Sequence, residues 1–505
     1  MQPLFTREES REVDRRAVRD LGVSSLMLME NAGRGATDAI VDRFGDRLER
    51  VVLVGGPGQN GGDAWVVARR LTLLGFMPHA VLVGDPERLR GDAAPNWALL
   101  ESIGVRTSVA SPEETTTVGT ALEGATLVVD GLFGTGLDRP VREGHAAVIE
   151  AMNDAGAPIV SLDLPSGLDA NTGAVLGVAP HAAMTVTFAG LKRGLHQYPG
   201  VGHAGEVRVA DIGVPVSTVT NAAVYDAGDL SRFISPRAGD DHKGTNGHLL
   251  VVGGSPGKTG AAVLAGRAGF RAGAGLVTIA ARPDARAALE EKVIELMTVG
   301  LPNTVDRSAV EALCEGKRAV VLGPGLGLDE TGARLTQAFV AHAPIPVVVD
   351  ADAITHVAAD RAALEGVAGP RILTPHPGEA GRLLDVSSSE IQADRYAAAT
   401  ELAAVTAQTV ILKGARSLVA HLDRLAVCAE GTPALGAAGT GDVLSGITGA
   451  LALTLDPFDA ALAATLVHAA AGETAAAGDR GLLASDVADA VPAVLAAHLS
   501  LPTTA

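Results

Sequence analysis

From about residue 51 the chain alternates between short apolar runs rich in Val, Ile and Leu and longer Ala-rich stretches, with glycine or proline at the joins. A buried strand, a turn and a helix repeated in this way predict parallel sheets covered by helices. In the first half the predicted strands are 51–54, 80–83, 126–129, 159–162 and 184–187; most of them run into polar or glycine-rich segments, where open α/β sheets place their ligands. Between residues 211 and 242 the rhythm lapses into Ile-Gly-Val-Pro, a Ser/Thr/Asn stretch and Ser-Pro-Arg-Ala-Gly-Asp-Asp, the composition of a boundary. Beyond it, strands are predicted at 249–252, 276–279, 319–322, 347–349, 372–373 and 410–412. A hairpin follows at 417–420 and 425–428, and three Ala-rich helices close the chain. The segments 51–58 and 249–256 resemble each other as strand-then-glycine turns, but no fixed short period runs through the chain as a solenoid requires. The expected fold class is α/β, with two three-layer αβα domains spanning residues 1–222 and 223–505.

Length supports two domains, since 505 residues exceed the ~250–300 at which one core stops growing. A formal charge of −18 argues against a basic face for nucleic acid but leaves room for a local pocket that binds a small anion. Cys314 and Cys428 are the only cysteines, so no disulfide framework or metal-cluster spacing exists. The charged opening and the lack of an apolar stretch near ~18 residues predict a cytoplasmic protein with no membrane partner.

Three predicted strand ends carry chemistry in the first half. Gly55-Gly56-Pro57-Gly58-Gln59-Asn60-Gly61-Gly62-Asp63 precedes a helix predicted at 64–74, so its amides can hold a phosphate or carboxylate. Asp130-Gly131-Leu132-Phe133-Gly134-Thr135-Gly136-Leu137-Asp138-Arg139-Pro140 ends the next, and Asp163-Leu164-Pro165-Ser166-Gly167 a third. Each alone reads as well as a cap or turn; together they converge on one sheet edge. This set, with Leu28-Met29-Glu30-Asn31-Ala32-Gly33, resembles the epimerase module of the NAD(P)H-hydrate repair enzymes over roughly residues 8–215. The resemblance implies a Rossmann-like domain, a potassium ion held by Asn60, Asp130 and Ser166, and hydrate contacts from Gln59–Asp63, Gly134–Pro140 and Asp163. Gln59 stands where the family usually has Asn, a change of amide length expected to tune contact. Asp163 is the acid/base candidate for exchange at the nicotinamide C6.

In the second half Gly439-Thr440-Gly441-Asp442 precedes an apolar helix predicted at 443–455. Its amides and helix dipole favour an anion, and Asp442 is placed either to remove a hydroxyl proton or to cap the helix. Lys413-Gly414-Ala415-Arg416-Ser417 supplies a cation and a hydroxyl after a strand, Thr374-Pro375-His376-Pro377-Gly378-Glu379 holds His376 between prolines, and Gly323-Pro324-Gly325-Leu326-Gly327 ends another strand. With His242-Lys243-Gly244 and Gly260-Ala261, this set resembles the ADP/ATP-dependent NAD(P)H-hydrate dehydratases of ribokinase-like fold over about residues 228–498. The resemblance implies nucleotide against Lys413–Ser417 and Gly439, Thr440 and Gly441, hydrate against Ala261, Gly325, His376 and Asp442, Asp442 as base, and Mg²⁺. Thr432 and Leu435-Gly436-Ala437 depart from the family's Asn and Met-Ala-Thr and flank the base without removing it.

The expected function is a bifunctional repair enzyme, a homo-oligomer that epimerises the R and S hydrates and dehydrates the S form at the expense of ADP or ATP. The alternative is a small-molecule kinase fused to a dinucleotide-binding sensor, because the Gly-Thr-Gly-Asp site serves both chemistries.

Overall fold

The computed structural model describes residues 1–113, 115–216, 219–302 and 304–499. They form two compact units, Gln2–Ala222 and the chain from Ala223 onward, with Met1 grouped in the second. No helix among the described residues is long and apolar enough to cross a membrane.

The first unit is built on a seven-stranded parallel sheet in the order Arg106–Ala110, His79–Val83, Val51–Gly55, Leu127–Gly131, Ile159–Leu162, Met184–Phe188, Glu206–Ala210. Val51 and Leu53 enter an apolar cluster with Trp65 and Leu71 of helix Gln59–Leu73; Val52 and Val54 enter another with Val118, Val148 and Ile149. Covered on both faces, the sheet is the middle of three layers. Strand order reverses between Val51–Gly55 and Leu127–Gly131, so the crevice typical of such sheets opens at their carboxyl ends. The edge strands Arg106–Ala110 and Glu206–Ala210 escape the apolar pattern because both are partly exposed, the first mostly polar and the second alternating Glu and Arg with Val.

The second unit has seven parallel strands in the order Met297–Gly300, Leu276–Ala281, His248–Val252, Ala319–Leu322, Val347–Val349, Arg371–Leu373, Thr409–Leu412, followed by the antiparallel hairpin Leu418–His421 and Arg424–Cys428. Here the order reverses between His248–Val252 and Ala319–Leu322. The two similar sequence segments, 51–58 and 249–256, are thus the reversal-point strand and turn of each unit. Helices Thr259–Arg271 and Thr440–Leu451 pack so closely that a side chain at position 446 would meet the Ala265 carbonyl at 2.1 Å.

Two helices begin earlier than the pattern predicts. Gln59–Leu73 replaces 64–74, and Thr440–Leu451 replaces 443–455. Their first turns are glycine-rich and give no apolar period, yet helical packing requires the glycines: a Cβ at position 61 would lie 1.9 Å from the Gly56 carbonyl oxygen.

Candidate active sites

In the first unit a cavity of about 640 Å³ opens at the strand-order reversal, lined by residues of all three predicted loops. Gln59–Asp63 form the first turn of a helix whose Gly58 cap offers no side chain, which leaves the opening amides facing the crevice. Gln59 is exposed, while Asn60 and Asp63 are buried. Among the described residues, neither polar atom of the Asn60 amide has a hydrogen-bond partner. Burial pushes the Asp63 carboxyl well above the usual range, reinforced by the negative charges of Asp163 and Asp14.

Asp130 is fully buried at the end of its strand and saturated. Its Oδ1 accepts from the Ser166 hydroxyl at 2.5 Å and the Leu132 amide at 3.2 Å; Oδ2 accepts from the Ser161 hydroxyl and the Ser166 amide, both at 2.9 Å. Burial still raises its carboxyl, with those bonds opposing. Asp130 and Ser166 are thus bonded to each other, while Gly134 packs without a side chain beside Asn60 and Asp163: a Cβ there would lie 3.3 Å from the Asn60 amide carbon and 3.1 Å from Asp163 Oδ2. The rest of the loop, Thr135 to Pro140, rises toward solvent, where Asp138, Arg139 and Pro140 are exposed. Arg7 braces it by donating to the Thr135 carbonyl at 2.8 Å and the Leu137 carbonyl at 2.6 Å.

Asp163 sits at φ 64°, a left-handed conformation that is costly for a side-chain-bearing residue and concentrated at functional sites. Its Oδ1 meets the Lys192 ammonium at 2.7 Å, and its Oδ2 accepts from the Thr135 amide at 3.2 Å. Lys192 is 1 % exposed and also donates to the Thr187 hydroxyl and the Phe188 carbonyl. Asp14, on helix Arg7–Leu21, lines the same cavity.

In the second unit four neighbouring strand ends converge. Asp350 follows Val347–Val349, Thr374 follows Arg371–Leu373, Lys413 follows Thr409–Leu412, and Gly323 follows Ala319–Leu322. Lys413 Nζ meets Asp350 Oδ1 at 2.9 Å, with Glu379 Oε2 at 3.8 Å. Thr374 donates its hydroxyl to the same Asp350 oxygen at 2.6 Å. Burial opposes the Lys413 charge, but Asp350 and Glu379 outweigh it and hold the ammonium above its usual value. The lysine thus lies deeper than a surface cradle requires. Ser417 turns its hydroxyl back on the Gly414 carbonyl at 2.9 Å, closing the turn Lys413–Ser417 on itself.

His376 caps helix Pro377–Leu384: its Nδ1 accepts from the Gly378 amide at 3.0 Å, while the rest of the ring is half exposed. Asp442 does not cap its helix. The N-cap is Gly439 at φ 90°, and Asp442 stands half buried in the first turn, with no side-chain hydrogen bond among the described residues. Burial pushes its carboxyl up to about 7, Asp350 adds to the effect, and Lys413 opposes it. A Cβ at position 441 would lie 3.5 Å from Lys413 Nζ, so the cation reaches this turn. Gly325, at φ 60°, packs against Ala261, bringing that pair of predicted residues together.

Residues 249–493 match a family model described as NAD(P)H-hydrate dehydratase, and residues 25–194 match the YjeF-related protein N-terminus. The bifunctional NAD(P)H-hydrate repair enzyme of Moorella thermoacetica is 39% identical over 510 residues, covering 97% of this chain and 96% of the relative. This chain belongs to the bifunctional NAD(P)H-hydrate repair enzymes. The Escherichia coli repair enzyme is 36% identical, over 95% of this chain and 91% of its own length. A ribokinase-like superfamily protein from Enterococcus faecalis, 24% identical with a TM-score of 0.50, covers 55% of the chain and 96% of itself, and shows the same fold.

Within this repair-enzyme chain, sequence reasoning missed Asp14, Lys192 and Asp350. Lys192 stands in Gly-Leu-Lys-Arg-Gly, which reads as an exposed basic turn; pairing of Leu191–Lys192 with Gln2–Phe5 turns it inward. Asp350 directly follows a predicted strand, the same position that singled out Asp130 and Asp163, and could have been found by that rule.

Proposed function

We propose that the unit from Gln2 to Ala222 epimerises the R and S hydrates of NADH and NADPH, and that the unit from Ala223 onward dehydrates the S form at the expense of ADP or ATP. The observation that carries this reading is that a chain aligned along its length with bifunctional repair enzymes has one polar cluster in each unit, around Asn60 and Asp163 in the first and around Asp350, Lys413 and Asp442 in the second. We further assign the protein to the cytoplasm as a homo-oligomer acting on small molecules.

In the epimerase site the amides of Gln59–Asp63 and the loop Gly134–Pro140 receive the dinucleotide, with Asp163 against the reacting ring. Asn60, Asp130 and Ser166 would hold potassium: the unpartnered Asn60 amide offers a free oxygen, and Gly134 leaves the space open. Such an ion supplies a fixed positive charge for the hydrate's oxygens.

In the dehydratase site Asp442 takes the proton of the hydrate's hydroxyl, and the oxygen attacks the terminal phosphoryl group, whose P–O bond to the nucleotide breaks and releases AMP from ADP or ADP from ATP. The amides of Gly439, Thr440 and Gly441 and the helix dipole oppose the charge that builds on that group, with the Lys413–Ser417 turn along the nucleotide. Ala261, Gly325 and His376 flank the hydrate. Loss of phosphate and of the C5 proton then restores the reduced nicotinamide. Among the described residues no cluster of three or more His, Cys, Asp or Glu is placed to hold a metal; the site suits magnesium that arrives on the nucleotide and keeps phosphate and water oxygens as ligands.

The test is incubation of the chain with mixed NADH hydrates and ADP or ATP. Recovery of reduced-nicotinamide absorbance with release of orthophosphate is the expected result. A stable phosphorylated product would assign a kinase instead.

A further inference from the structure

Exchange at C6 requires proton traffic. If the ring opens, the hydroxyl proton leaves, the C6–N1 bond breaks with its electron pair going to N1, the oxygen becomes a carbonyl, and N1 takes up a proton; closure on the other face reverses each step. One group able to take and return a proton balances the reaction. This inference rests on the epimerase reading above and asks which residue that group is.

Asp163, the acid/base candidate from the sequence, is fully engaged: one oxygen is on the Lys192 ammonium and the other on the Thr135 amide. Lys192 has its three donors on Asp163, Thr187 and Phe188. Asp63 is buried in the wall at 8% exposure. Asp14 differs from all of these. It makes no hydrogen bond or ion pair among the described residues, its side chain is exposed on the cavity wall, and it shares one helix face with Ser10 and Val18, which line the same cavity at four-residue spacing.

We propose that Asp14 is the proton-carrying catalytic residue of the epimerase site, taking the hydroxyl proton of the bound hydrate and returning it to N1.

The charged groups facing it are Arg11 on its own helix, Asp63 on helix Gln59–Leu73, Asp92 at the start of helix Ala93–Ser102, Asp138 and Arg139 in the loop, Asp163, and Lys192. Protein crowds the carboxyl closely enough that burial raises it to about 6, with Lys192 opposing and Asp163 adding. Such a group loses and regains a proton near neutral pH.

The test uses the full chain. R/S exchange of NADH hydrates is followed by chromatography without nucleotide, from pH 5 to 8. Asp14→Asn lowers kcat for exchange about 100-fold and removes the acid limb near pH 6; Asp14→Glu restores part of the rate, and nucleotide-dependent dehydration of the S hydrate is unchanged in both. Wild-type kcat and pH limb in Asp14→Asn overturn the proposal, as does a raised KM at unchanged kcat, which would make Asp14 a binding residue only. A wild-type chain that exchanges nothing overturns the epimerase reading itself, so the two failures are distinguishable.

Discussion

As the proposed base of the dehydratase, Asp442 would act only when ionised, and the fold resists that ionisation. Burial raises its carboxyl from 3.8 to about 7, so dehydration is expected to fall as pH drops through about 7. The same shift acts on stability. Between these two pH values the folded chain keeps a proton that the unfolded chain has lost, so this residue's contribution declines as pH rises across the window and is not regained above it. Asp442→Asn should therefore lose turnover by about 100-fold while melting higher than the wild type at pH 8, by roughly 2–4 °C per kcal/mol relieved. Thermal melts at pH 5 and 8 check this: the gap between variant and wild type must widen with pH. An Asp442→Asn chain that melts lower at pH 8 would mean that the carboxylate is a structural anchor.

At the scale of elements, the proposed dehydratase site depends on how helix Thr440–Leu451 begins. Gly439 starts it at φ 90°, and a Cβ there would lie 2.9 Å from Leu264 Cδ1 and 3.1 Å from the Ala484 Cβ. From helix Pro457–Ala475, His468 Nε2 donates to the Thr440 carbonyl at 2.9 Å. Burial pushes that ring down to about 4, so it is neutral at pH 7 and keeps the single N–H this bond uses. Gly439→Ala is expected to cost about 1–3 kcal/mol through strain and to reduce dehydration while R/S exchange continues, measured by thermal melts and the two assays in parallel. Legibility in the sequence follows the same division. Buried strands were legible because valine-rich runs of this length have few alternatives, and their ends marked Asp130, Asp163 and Lys413. Helix starts were not, because Gly61 is dictated by close backbone approach to Gly56 and Gly62 by contact with Met29 and Ala93, and neither these nor Gly441 leave a periodic signal. Lys192 and Asp14 were invisible for a third reason: tertiary pairing and a cavity wall, not local pattern, give them their environment.

At the scale of the whole molecule, fusion of two sites has a consequence that neither activity has alone. Dehydration consumes only the S hydrate, so complete repair of a mixture requires continuous conversion of R into S. Asn60→Ala is expected to separate the two functions: both polar atoms of the amide lack partners among the described residues, so their removal leaves no described group newly unsatisfied, while the proposed potassium site loses an oxygen. With a mixture of hydrates and excess ADP, the wild-type chain is expected to restore reduced-nicotinamide absorbance to completion. The Asn60→Ala chain should begin at the wild-type rate and stop at a plateau equal to the initial S fraction, and Asp442→Asn should restore absorbance about 100-fold more slowly while still bringing R and S to equilibrium. The plateau is the decisive reading, because a general loss of folding would lower the initial rate and leave the end point unchanged. If Asn60→Ala drained the whole mixture as fast as the wild type, the division of labour between the two sites would be wrong.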